Sequence, residues 1–145
     1  MTSEEAHQAQ DVVLGMFLAN FHPATVLFDS GASHSFISAS FVAKYNLPIA
    51  TMKHTMLVSS PGGEMRTNHI CPAVSLKIRG VEFLANLIVL DSKGIDIILG
   101  MDWLRKYDGV IQCARRAVQL TTEDGSKIEF VAAVPSEQTS VLNQV

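Results

Sequence analysis

Cysteine is scarce in this chain. Only Cys71 and Cys113 occur, and neither sits in a C-x-x-C pair, so the sequence carries no disulfide framework. They read as two reduced, core-type thiols. The five histidines, His7, His22, His34, His54 and His69, show no zinc-ligand spacing, so no metal is expected. A surplus of basic charge is also missing: 11 Lys and Arg face 14 Asp and Glu, for a net charge of −3. That balance gives no electrostatic footprint for nucleic acid. No apolar run approaches the ~20 residues that a membrane-spanning helix needs. The opening MTSEEAHQAQ is polar and acidic, unlike the basic and apolar regions of a signal peptide, so the expected location is cytoplasmic. Neither G-x-x-x-x-G-K-[ST] nor G-x-S-x-G occurs, which removes the phosphate-cradling loop and the nucleophile elbow. No cofactor is implied.

What is present is a core. The chain is 48% hydrophobic and 17% charged over 145 residues. Folding at this length buries roughly 68–70% of the unfolded surface, enough for one domain without staples. The high apolar fraction hints at a buried subunit interface. Residues 1–10 and 132–145 read as flexible ends flanking a domain over 11–131.

Apolar alternation and turn chemistry divide that domain into short strands. VVLGMFL (12–18) and Ala24–Phe28 read as a hairpin joined through Asn20, Phe21, His22 and Pro23. Phe36, Ile37, Phe41, Val42 and Tyr45 recur at helical intervals, which predicts a helix over 36–45 ended by Asn46 and Pro48. MKHTMLVSS and RTNHI form a second hairpin around the turn PGGEM, with Pro61, Gly62 and Gly63 at a mobile tip. AVSLKIR and VEFLANLIVL follow as strands. Residues 95–99 form a buried strand broken by Gly100 before a helix over 101–107. VIQCA, AVQLTT and KIEFVA close the count. About nine short strands with two short helices exclude a doubly wound α/β fold and indicate a mainly β, closed or partly closed barrel.

The chemistry centres on VLFDSGASHSF, residues 26–36. Three apolar residues run into Asp29, and a lone charge driven toward a core demands a partner or a shifted pKa. D-[ST]-G alone also describes an ordinary Asx-turn. Its context narrows the choice. A hairpin precedes it, a Gly-rich hairpin follows about thirty residues later, and a second buried strand ends in Leu99-Gly100 ahead of a helix.

That ordered set, VLFDSGASHSFIS (26–38) with IDIILGMDWL (95–104), resembles the retropepsin-like aspartic proteases. It looks most like the protease segments of plant gypsy-type LTR-retrotransposon polyproteins, over residues 11–131. The resemblance implies a retropepsin-like closed barrel with two short helices, forming one subunit of a homodimer. It implies that Asp29 is catalytic and pairs with Asp29 of an identical chain across a shared water. Ser30 would lock the two loops together, with the hydroxyl of the commoner Thr but one methyl fewer. Gly31 would let the substrate backbone approach, Ala32, Ser33 and His34 would line the cleft, and Pro61, Gly62 and Gly63 would tip a flap. Ile98, Leu99 and Gly100 would support the Asp29 loop. Partners would be a second copy and a peptide or polyprotein substrate. Viral members typically carry Asp where Ser33 stands and Arg where Met101 stands, an ion pair that this chain lacks on both sides. Asp96 and Asp102 read as solvent-facing or capping residues, and Trp103 as core. Two rival readings keep the fold without the chemistry: a non-catalytic dimerisation or peptide-binding module, and an adaptor for ubiquitin-like partners.

Overall fold

The computed structural model describes residues 12–60 and 63–132. Ten strands and two helices are assigned there: β1 (Val12–Ala19), β2 (His22–Asp29), β3 (Phe36–Ser38), α1 (Ala39–Tyr45), β4 (Ala50–Ser60), β5 (Gly63–Ile78), β6 (Val81–Leu90), β7 (Ile97–Leu99), α2 (Met101–Lys106), β8 (Val110–Gln112), β9 (Ala117–Thr121) and β10 (Lys127–Val131). Seven strands run in the order β1-β2-β7-β3-β6-β5-β4, and β1 also pairs with β5 at Leu18 and Ala19. The sheet therefore closes on itself, leaving β4 and the distal half of β5 as a projecting hairpin. β8, β9 and β10 form a second, three-stranded sheet. The mainly β closed barrel with two short helices is the observed fold.

The β1–β2 hairpin is tighter than the turn residues suggest. Only Asn20 and Phe21 turn, both at positive φ (47° and 71°), as a two-residue hairpin loop requires. The Asn20 side chain fixes this turn to β5 by accepting the Ser75 N–H at 2.8 Å. His22 and Pro23 belong to β2, not to the loop. Pro23 is tolerated because β7 pairs with β2 only at Val26–Phe28, so no ladder partner waits for the missing N–H on that side.

The helix expected over 36–45 begins three residues later. Phe36–Ser38 instead form β3, wedged between β6 and β7. Ladder bonds on both sides outweigh the helical spacing of Phe36 and Ile37. Ser38 then caps α1, its Oγ accepting the Phe41 N–H at 3.1 Å. Asn46 ends the helix in the left-handed region (φ 54°). RTNHI and AVSLKIR are likewise one strand, the 16-residue β5. A bulge between Cys71 and Val74 carries the interruption at Pro72, and the Asn86 side chain takes the freed Ala73 N–H. Ile95 and Asp96 precede β7 rather than starting it.

The core fills the barrel and reaches α2. Phe28, Phe83, Leu76, Leu87, Ile97 and Leu99 are fully buried. Trp103 and Tyr107 meet Phe83 edge-to-face at centroid distances of 5.8 and 4.9 Å. Their polar atoms are satisfied at one place: Trp103 Nε1 donates to the Leu84 carbonyl at 3.2 Å, and Tyr107 Oη accepts the Leu84 N–H at 3.1 Å. Trp103 is a core residue, as expected from its place on the short helix.

Candidate active site

The site grows from the end of β2. Burial of Phe28 fixes the strand, and period-2 alternation puts the next side chain, Asp29, on the opposite face, where it is half-buried. The chain must then turn within two residues. Asp29 assists the turn itself: its Oδ1 accepts the Gly31 N–H at 2.8 Å and its carbonyl accepts the Ala32 N–H at 3.2 Å. A β-carbon on Gly31 would lie 3.2 Å from that carboxylate oxygen, so glycine leaves the oxygen accessible.

A second strand end holds the loop from behind. β7 lies parallel to β2, with Leu27 opposite Ile98 and Phe28 opposite Leu99. Gly100 then passes under the loop. The Ala32 carbonyl accepts the Met101 N–H at 2.7 Å, and the Ser33 carbonyl accepts the Asp102 N–H at 3.3 Å. A β-carbon at Gly100 would lie 2.3 Å from the His34 carbonyl oxygen and 2.6 Å from that of Ala32, so no other residue fits. Ile98 and Leu99 thus lie beside Leu27 and Phe28, and Gly100 lies against the loop carbonyls.

Ser35 completes the support, and the sequence reading passes over it. It is 1% exposed. Its Oγ accepts the Gly100 N–H at 2.9 Å and donates to Asp102 Oδ1 at 2.6 Å. The same Asp102 oxygen accepts the Trp103 N–H at 2.7 Å. Asp102 is therefore a bridge between helix start and loop, more than a solvent-facing cap. Asp96 is also engaged, accepting the Thr25 N–H at 2.8 Å and pinning the approach to β7 against β2. The connection between loop and helix runs through two backbone bonds and the Ser35–Asp102 pair, where the viral resemblance places an ion pair at positions 33 and 101.

The remaining candidates lie around this frame. Ser30 and Ala32 are half-buried, whereas Gly31, Ser33 and His34 are exposed. Ser33 Oγ lies 3.0 Å from His34 Nδ1. The flap candidate is the β4–β5 hairpin, whose last described pair is Ser60 with Gly63. Gly63 has φ 120°, and a β-carbon there would meet nothing within 4 Å. Pro61 and Gly62 lie outside the described residues. Among the described residues no group of three or more His, Cys, Asp or Glu could hold a metal ion, and no helix is long and apolar enough to cross a membrane.

A β-barrel in which two strand ends cross beneath a D-S-G loop defines the acid-protease class of fold. The family described as retroviral aspartyl protease matches residues 1–126, and the chain belongs to that family. Among solved structures it is similar to the EIAV protease complexed with the inhibitor HBY-793, at 25% identity and a TM-score of 0.53, covering 64% of this chain and 85% of that one. It is also similar in fold to the retroviral protease-like domain of Ddi1 from Leishmania major, at 15% identity and a TM-score of 0.62, covering 86% and 94%. The comparison with curated proteins returned no match.

Proposed function

We propose that this chain is a homodimeric aspartic endopeptidase in which Asp29 from each of two chains activates one water. The observation that carries this reading is the state of Asp29. One carboxylate stands half-exposed at a strand end, on a loop held by Gly100 and Ser35, with only one such loop per chain. A hydrolytic dyad needs a second carboxylate, and a two-fold axis supplies it.

Two unit charges 3 Å apart repel by about 5–6 kcal/mol at an effective dielectric of ~20. The pair therefore holds one proton near neutral pH, and aspartic-protease dyads are the standard case of such sharing. The charged carboxylate takes a proton from water as the oxygen attacks the scissile carbonyl. The protonated one donates to the carbonyl oxygen, giving a diol; as the C–N bond breaks, the proton taken from water passes to the leaving amine and the diol returns its proton to the second carboxylate. Gly31, Ala32, Ser33 and His34 would line the cleft, Ser30 would join the two loops, and the β4–β5 hairpin with Pro61, Gly62 and Gly63 would close over an extended peptide. The β8–β10 sheet is a candidate for part of the dimer contact, since Ser33 and Met101 offer no ion pair there. The sequence likeness to plant gypsy-type elements supports a role inside the cell, cutting a retrotransposon polyprotein.

The test is cleavage of a mixed peptide library at about pH 5 by the native chain and by Asp29→Asn. Cleavage lost in the variant supports the enzyme. Equal cleavage by both, or none by a folded native dimer, rejects it; the second result favours a peptide-binding module.

A further inference from the structure

The outer face of the β1–β2 hairpin is apolar where a soluble surface is expected to be polar. Alternation along β1 buries Val13, Phe17 and Ala19 and turns Leu14, Met16 and Leu18 outward, at 50%, 65% and 40% exposure. Opposite them on the same face stand Leu27, Thr25 and Pro23. From the Leu14–Leu27 pair to the Leu18–Pro23 pair this row carries no charge, and the next pair on the same face is Val12–Asp29. The six residue steps from Val12 to Leu18, at ~3.3 Å each, span about 20 Å, starting beside the candidate active site.

The backbone along this row is open as well. β1 pairs with β5 only at Leu18 and Ala19. β5 then ends, and the chain turns back at Arg79 and Gly80, both at positive φ. Beyond that point the edge of β1 away from β2 has no strand partner among the described residues. Edge strands without a charged or proline guard are ready templates for an added strand. Where β5 leaves off, Met16, Leu18, Pro23 and Phe130 surround a groove of about 380 Å³ whose remaining wall includes Lys77 and Arg79. Both cations are exposed, and no acidic residue lines the groove. The cross-strand neighbour of Lys77 is Glu82, whose carboxylate accepts the Ser75 hydroxyl at 2.6 Å.

We infer that this edge is a docking track for polypeptide substrate outside the cleft, and that it selects chains with an acidic side chain several residues from the scissile bond. The inference rests on the protease reading above. An extended peptide would continue the line of β5 along Leu14 and Val12 toward Asp29. Alternate apolar side chains would cover Leu14 and Met16, and the acidic group would meet Lys77 and Arg79. Apolar track, open edge, basic end and continuity with Asp29 together specify this occupant.

The experiment uses the full chain and a peptide it already cleaves. That peptide is extended by ten residues on either side, with Glu or Lys scanned through the extension. The expected result is a kcat/KM about fivefold higher for Glu than for Lys at one register, as a pair of partly exposed charge contacts allows. Lys77→Gln with Arg79→Gln should abolish that preference and cut the unextended peptide at the native rate. No register with a preference, or a preference that survives in the double variant, overturns the inference. If no peptide is cleaved at all, the protease reading has failed, and the track is tested by fluorescence anisotropy of the labelled Glu extension. Binding lost in the double variant supports the track; absence of binding overturns it. A change of oligomeric state in Met16→Ser, without any change in peptide preference, assigns the face to a second copy and also overturns it.

Discussion

Asp29 draws its orientation from neighbours that have no chemistry of their own. The Gly31 N–H fixes one oxygen, Gly100 permits the close crossing, and the Ser35 hydroxyl joins that crossing to Asp102. These roles separate in mutants. Asp29→Asn should remove cleavage while leaving the melting temperature within about 1–2 °C, because the amide keeps the acceptor for Gly31. Ser35→Ala leaves the Gly100 N–H and a part-buried carboxylate oxygen short of a partner. It should cost about 2–3 kcal/mol by denaturant unfolding and lower activity through the loop. Gly100→Ala is the harsher change, since a methyl 2.3 Å from a carbonyl oxygen forces loop and helix apart. A loss of at least ~2 kcal/mol is expected, and a neutral result there would contradict the described crossing. The sequence made Asp29 and Gly100 legible because each sits in a short local pattern. Ser35 and Asp102 were not, because their bond spans 67 positions and either residue alone passes for a loop or cap residue.

Elements respond to a different set of forces. α2 has only six residues and is held mainly by packing, so Trp103→Ala, which opens a cavity against Phe83 and Tyr107, should destabilise by about 3–5 kcal/mol. The β8–β10 sheet carries charged side chains paired on its surface. Arg115 donates to both Glu129 oxygens, at 2.7 and 3.1 Å, and this pairing holds the Glu129 carboxyl below the usual glutamate range. The Thr122 hydroxyl, followed by Ser126, does the same for Asp124 in the β9–β10 turn. A carboxylate whose folded pKa is depressed contributes stability that is complete above its ordinary value and is lost as pH falls through the folded one. The sheet should thus be intact at pH 5 and loosen below about pH 4. Amide exchange of Val118 and Leu120 across that range checks this; loosening already at pH 5–6 would contradict it. Element types were readable from period and turn residues, but β3 was not. Phe36 and Ile37 fit a helical spacing, and only the two flanking strands, distant in sequence, decide for extended backbone. The single long β5 was hidden for a related reason: Pro72 looks like a break until Asn86 supplies the compensating bond.

At the scale of the whole molecule, the question is how many chains make one site. The family and the closed barrel are established for the single chain, and its one D-S-G loop is half of the proposed centre. The proposed dimer follows from that count and from the high apolar fraction; no periodicity or turn signal specifies which surfaces would meet. Residues 26–36 announced the fold because their order relative to residues 95–104 is unusual, whereas the exposed face of β1 was hidden inside a uniformly apolar run, VVLGMFL, whose alternate residues only the structure turns outward. The most direct measurement mixes native chain with Asp29→Asn at constant total concentration, after subunit exchange, and follows cleavage of one peptide. If two Asp29 side chains form each site, a one-to-one mixture keeps about one quarter of the native rate, because only dimers of two native chains work. If half the rate remains and the loss is linear in the variant, each chain acts alone and the shared-dyad account is wrong.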